Sequence, residues 1–152
     1  VGGKPEDVAN WQTILEGQGI QNIRLTGFVP NQELPIYQAA ADILLMPFGK
    51  TVSTSSGSNT ADVCSPLKMF EYMAAGRAIL TSDLPVLREV LNEKNACFYA
   101  IEDYADLKVK FEALLKDASM RDALASQARS DVRQYTWQER MRKIMDAFTE
   151  GS

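Results

Sequence analysis

Ser65-Pro66-Leu67-Lys68-Met69-Phe70-Glu71-Tyr72-Met73-Ala74-Ala75-Gly76 decides how this chain is read, because it puts a cation in the first turn of a helix. Ser65 reads as the N-cap, Pro66 as the first helical residue and Gly76 as the stop. A helix start already carries partial positive charge on its exposed N–H groups, so Lys68 is unfavourable there unless an anion offsets it. At roughly 100° per residue, Leu67, Met69, Phe70, Met73 and Ala74 share one arc, while Lys68, Glu71 and Tyr72 share the other. The first arc predicts a core face. The second suits a nucleotide: phosphate at the helix start beside a lysine, and a carboxylate one turn on for paired ribose hydroxyls. An ordinary solvated face with an i, i+3 ion pair accounts for the same spacing.

Around this helix the chain alternates strand and helix signals. A helix is expected from Pro5 to about Gly17 through Val8, Trp11, Ile14 and Leu15, then a short strand from Ile23 to Gly27. Asn31 to Ala39 reads as a helix with Pro35 near its first turn, and Asp42 to Phe48 holds the apolar run of a buried strand. Strand Ala78–Thr81, a short helix through Val86 to Leu91 and strand Ala96–Tyr99 follow. From Tyr104 onward the periodicity is helical only, over Leu107 to Leu115, Met120 to Tyr135 and Trp137 to Phe148. The expected fold is Rossmann-like: a three-layer α/β/α arrangement on a parallel sheet, with residues 104–152 as a C-terminal helical part of one domain spanning 1–152. The helical part should pack around the sheet's edge or base. The loop Gly49 to Thr60, rich in Ser, Thr and Gly, leads from a buried strand to the decisive helix, where α/β sheets bind ligands; it reads either as a flexible lid or as a plain surface loop.

Composition narrows the chemistry. The chain has 152 residues, a net charge of −4 and no basic run, which argues for a small partner rather than nucleic acid. It has no histidine, which removes Ser/His and Cys/His nucleophiles and the usual zinc sites. Cys64 and Cys97 lack metal spacing, and a reduced, cytoplasmic setting follows as the expectation. There is no G-x-G-x-x-G fingerprint and no apolar stretch near the ~20 residues of a spanning helix, and no signal peptide is expected before the first helix. Val1-Gly2-Gly3 reads as the tail of a strand, so the chain is expected to be part of a longer protein. Trp11 and Trp137 read as packing anchors, and Glu89, Arg88 and Lys94 as surface charges.

These residues together resemble the C-terminal, donor-binding domain of the retaining glycosyltransferases called group 1 or family 4, which have two Rossmann domains. The resemblance runs through Val1-Gly2-Gly3-Lys4-Pro5, the segment Ile23 to Pro30, Leu34 to Pro47 with Asp42 and Pro47 in place, Ser65 to Leu91, and Tyr135-Thr136-Trp137. It implies a hexosyltransferase-type activity: a nucleotide sugar binds at the sheet's carboxyl edge, and its sugar passes with retention to a sugar, lipid or other acceptor held by a separate N-terminal domain. Glu71 matches the second glutamate of the family's paired motif, which holds the ribose hydroxyls. Ser65, Pro66 and Leu67 match the helix start that meets the diphosphate, Lys68 matches a variant of that start, and Gly27-Phe28-Val29 match the turn that meets the base.

The first glutamate of the motif would stand at Val63, so Asp62 is the candidate for its work beside the donor sugar. Glycosyl transfer needs fixed dipoles and cations facing the departing diphosphate; the helix start and Lys68 supply them, and with no Asp-x-Asp pair in the chain, metal independence is expected. No cofactor and no nucleophile are assigned. Without an upstream phosphate-binding segment and an acceptor domain, the chain by itself is expected to be inactive. Peripheral membrane association is compatible with this reading. The competing readings are a non-catalytic nucleotide- or phosphate-binding module, favoured by Val63, and a receiver-like interaction domain.

Overall fold

Ile43–Met46 and Ala78–Ser82 form β1 and β2 of a parallel sheet, and Cys97–Tyr99 adds β3, in the order β1-β2-β3. The register places Ile43 opposite Ala78, Met46 opposite Thr81, Leu80 opposite Cys97 and Ser82 opposite Tyr99. All five residues of the middle strand are buried, as a strand covered on both faces requires. The computed structural model describes residues 2–49 and 67–150. Ser65, Pro66, Asp62, Val63, Cys64 and residues 50–60 of the expected lid lie outside the described residues.

The helices are α1 (Pro5–Gly17), α2 (Leu34–Ala40), α3 (Leu67–Ala75), α4 (Pro85–Arg88), α5 (Tyr104–Lys116), α6 (Ala118–Asp131) and α7 (Trp137–Glu150), with a 3-10 turn over Val132–Tyr135 between the last two. The chain divides into two compact units, Val1–Tyr37 and Gln38–Ser152, with the boundary inside α2.

In the second unit, side chains alternate across the sheet and build two cores. Met46 and Ile79 meet Met69 and Met73 of α3 and Leu87 of α4 on one face. Ala78, Leu80, Cys97 and Tyr99 meet Leu114 of α5 on the other. α6 serves both, giving Ala128 to the first core and Leu124 to the second. Fully buried Asn95 ties this corner together: its amide donates to Asp131 Oδ2 at 2.8 Å and to the Val90 carbonyl, and its oxygen accepts from the Asn92 N–H at 2.8 Å.

The first unit holds α1 and an irregular segment. The strand expected over Ile23 to Gly27 is a correction: among the described residues this segment makes a single antiparallel bridge, Gly2 to Gly27, with the Gly2 N–H donating to the Gly27 carbonyl at 2.8 Å. Gly2, Gly3 and Gly27 all have positive φ, which breaks the extended run before a ladder can form. Trp11 is 56% exposed and Trp137 74%, so neither is the packing anchor the sequence suggested.

Candidate functional site

The carboxyl end of the sheet is built from hydroxyls. Thr81 and Ser82, both fully buried, end β2. Thr81 Oγ1 donates to the Met46 carbonyl at 3.1 Å, and the Phe48 N–H donates to Ser82 Oγ at 3.0 Å, so the exit of β1 is fixed to the end of β2. The Asp83 N–H donates to the Tyr99 carbonyl at 2.9 Å, fixing β3 as well. Burial raises the Tyr99 phenol, against the opposing hydrogen bond to Ser82.

α3 returns from this edge. β1 and β2 are parallel, and only Gly76 and Arg77 separate the last residue of α3 from β2, so α3 starts toward the carboxyl ends and runs back to the amino ends. It has no β-branched residue, and all but Phe70 and Tyr72 are strong helix formers. Gly76 stops it at φ +63°, and a side chain there would also meet Arg129 Cδ at 3.1 Å. Met69 and Met73 are buried as expected.

Lys68 and Glu71 are both exposed and, one turn apart, share a face. No ion pair joins them, so the simple paired face is not what forms among the described residues. Lys68 Nζ lies 5.9 Å from the centre of the Tyr72 ring. Glu71 Oε2 accepts a long hydrogen bond, 3.5 Å, from Gln38 Nε2. A contact that loose leaves the carboxylate able to exchange partners.

Three members of the helix depart from the sequence reading. Leu67 is 74% exposed and Ala74 is exposed, because the sheet-facing arc is narrower than the apolar one. Tyr72 is half-buried and packs against the first core rather than standing on a polar face. Its phenol is raised by burial and then by the charge of Glu71.

Gly27, Phe28 and Val29 lie in the first unit. Gly27 takes φ +65°, Phe28 is 79% exposed and Val29 is buried. An exposed ring on a fixed turn can stack a flat ligand.

One cluster was missed. Arg88, read as a surface charge, donates from Nε and Nη2 to both carboxylate oxygens of Asp83 at 2.7 and 2.9 Å and pairs with Glu93. Its guanidinium lies 3.6 Å from the centre of the Phe98 ring. The Arg88 side chain holds Asp83 below the usual carboxylate range, and is itself raised by the same bond. The only sequence signal is a pair of acids five residues to either side, a spacing that no helix or strand rule singles out. Glu89 and Lys94 are exposed, as expected. Among the described residues no three His, Cys, Asp or Glu side chains gather as a metal site needs.

A family model described as glycosyl transferase-like matches residues 1–146. No curated protein matches the sequence significantly. Among solved structures, sucrose-phosphate synthase from Thermosynechococcus elongatus is similar at TM-score 0.74 and 17% identity, over 99% of this chain and 38% of that one. HepE from Anabaena, in complex with UDP-glucose, is similar at TM-score 0.66 and 17% identity, over 88% of this chain and 35% of that one. The C-terminal domain of a group 1 family glycosyl transferase, LpcC from Francisella tularensis, is similar at TM-score 0.59 and 16% identity, over 86% of this chain and 64% of that one. At these identities the likeness is one of fold. The chain spans between a third and two fifths of the first two proteins.

Proposed function

We propose that this chain, which belongs to the glycosyl transferase-like family, is the donor-binding part of a glycosyltransferase that moves a sugar from a nucleotide sugar to an acceptor, with retention at the transferred carbon. The observation that carries the reading is the exposed Lys68–Glu71 face at the start of α3, toward the carboxyl ends of a parallel sheet. HepE, of similar fold, has been solved in complex with UDP-glucose, which supports a nucleotide sugar as the ligand class.

In this reading Glu71 exchanges the long Gln38 contact for the two ribose hydroxyls. The helix start at Ser65, Pro66 and Leu67, with Lys68, takes the diphosphate. Negative charge grows on that diphosphate as the glycosidic bond breaks, so dipoles and a cation already fixed there stabilise the transition state more than the ground state; no divalent metal is required. The Gly27-Phe28-Val29 turn meets the base, and Asp62 faces the donor sugar. The acceptor is held by a second domain, without which the chain binds the donor but does not transfer. A reducing, cytoplasmic setting accords with Cys97 as a free, buried thiol.

The reading of a binding module without transfer rests on Val63 in place of a carboxylate. Calorimetric titration with UDP, GDP and ADP tests the ligand class that both share: saturable millimolar or tighter binding of one nucleotide is expected, and binding of none contradicts the site. Sugar transfer by the whole protein then separates enzyme from module.

A further inference from the structure

The one hydrogen bond described for the Glu71 carboxylate points to a second helix. Gln38 lies in the last turn of α2, where the backbone is fixed on two sides. Its carbonyl accepts from the Ala41 N–H at 3.3 Å, closing the turn. The neighbouring Ala39 carbonyl accepts from the guanidinium of Arg77, so this end of α2 is tied to the connection between α3 and β2. From that anchored turn the half-buried Gln38 side chain reaches the exposed Glu71, 33 positions away in sequence. Lys68 does not compete for the carboxylate: its Nζ lies 5.9 Å from the centre of the Tyr72 ring.

The contact leaves both groups with hydrogen-bonding capacity to spare. Gln38 Nε2 stands 3.5 Å from Glu71 Oε2, longer than the roughly 2.9 Å of a well-made bond. A carboxylate accepts and never donates, a primary amide does both, and a hydroxyl donates once and accepts twice. A hydroxyl set between them therefore suits both: its hydrogen goes to Oε2 and its oxygen accepts from Nε2. With links of about 2.7 and 2.9 Å and a tetrahedral angle at the oxygen, the amide and carboxylate stand about 4.5 Å apart. That is roughly 1 Å wider than the present contact, a distance that small rotations of two long side chains supply. A neutral amide fits this exchange, whereas a lysine or arginine at the same position would hold the carboxylate as an ion pair and oppose the ligand.

We infer that Gln38 is a specificity-determining residue of the donor site: with Glu71 it clamps one hydroxyl of the nucleotide's ribose, which donates to the carboxylate and accepts from the amide. The neighbouring hydroxyl donates to the other carboxylate oxygen. The inference rests on the assignment of Glu71 to the ribose, and adds to it a residue from a different helix and the direction of each hydrogen bond. A carboxylate alone is satisfied by any two donors. Carboxylate and amide together read one hydroxyl as donor and acceptor at once, and a deoxyribose with only C–H at that carbon answers neither. The ligand class selected is a ribonucleotide with an unsubstituted vicinal diol.

The test is calorimetric titration of the full chain and of its Gln38→Met variant with UDP and its 2′-deoxy and 3′-deoxy analogues, or with the same set for GDP or ADP where that is the nucleotide bound. Methionine keeps the length and helix propensity of glutamine without its hydrogen-bonding groups, so the thermal melt should not move. Loss of a neutral amide–hydroxyl bond should weaken the ribonucleotide about fivefold. The deoxy analogue that lacks the clamped hydroxyl should bind both proteins to within about twofold, while the other analogue keeps the fivefold difference. Glu71→Gln, titrated in parallel, separates this inference from the reading beneath it. A loss of about tenfold or more in Glu71→Gln, with no loss or a gain in Gln38→Met, removes Gln38 and leaves the ribose on Glu71. Equal weakening of all three ligands by Gln38→Met also overturns the clamp, since a merely structural role acts on all alike. Unchanged affinity in Glu71→Gln, or binding of no nucleotide, removes both.

Discussion

Replacing Arg88 with methionine separates a structural cation from a ligand-binding one at the carboxyl edge of the sheet. Methionine keeps an unbranched apolar stem over Phe98 and removes the two-pronged bond to Asp83, the Glu93 pair and the ring–cation contact. The Asp83 side chain is 46% exposed and Arg88 31%, so solvent discounts the bidentate bond from the 1.5–3 kcal/mol of a buried charged pair to about 1 kcal/mol. The stacked guanidinium, 3.6 Å from the Phe98 ring centre, adds about 0.5 kcal/mol. Glu93, 76% exposed, adds too little to count. The sum, about 1.5 kcal/mol, corresponds to a fall of roughly 3–6 °C in melting temperature for a protein of this size.

The sign of the pH dependence follows from Asp83. Its carboxyl is held below its ordinary value in the folded chain, so its contribution is present above the unfolded pKa of about 3.9 and is lost as pH falls through the lower, folded value. Calorimetric melts of both proteins should therefore differ fully at pH 7, and the difference should shrink as pH falls below about 3.9, down to the part that the ring–cation contact contributes. Nucleotide affinity should not change, because the Asp83 and Glu93 carboxylates already occupy Arg88. A melting difference that persists unchanged into acid, or loss of nucleotide binding by a folded Arg88→Met variant, would refute this reasoning.

Asn95→Ala should cost about 1–3 kcal/mol in a denaturant titration, since it strands the part-buried Asn92 N–H and Val90 carbonyl; a loss well under about 1 kcal/mol would mean that the corner relaxes without it. Cys97 should resist iodoacetamide at pH 8, because burial pushes its thiol up against the opposing pull of Lys110. Peptide mass spectrometry should find it alkylated only as the chain opens with denaturant, and prompt labelling in the native state would contradict its place in the second core.

The sheet was legible because Ile43–Met46 and the Ala78-Ile79-Leu80 start of the middle strand are short apolar runs between helical signals. Pro5 and Gly76 marked helix ends by backbone geometry alone, and both stand where the structure starts or stops a helix. What was not legible depended on partners distant in sequence. Ile23 to Gly27 has strand composition but meets only Gly2, and composition cannot tell whether a ladder partner exists. Tyr72 sits on the nominal polar arc, yet its ring is wide enough to reach the core. Arg88 looked like any surface arginine because Phe98 reaches it across ten positions of sequence. At the site, Lys68 and Glu71 were readable from helical spacing, whereas the Gln38 contact to Glu71, 33 positions away, was not.

The most direct test of the donor site is titration of Glu71→Gln beside the unmodified chain, with whichever of UDP, GDP or ADP binds, together with a thermal melt. A carboxylate accepting two ribose hydroxyls loses roughly 1.5–3 kcal/mol of charge-assisted hydrogen bonding as an amide, which weakens binding about 10- to 150-fold. Glu71 is exposed and glutamine has a similar helix propensity, so the melt should move by no more than about 2 °C. Weakened binding with an unmoved melt is the predicted result; unchanged nucleotide affinity would remove the ribose from Glu71 and leave α3 an ordinary helix of the sheet.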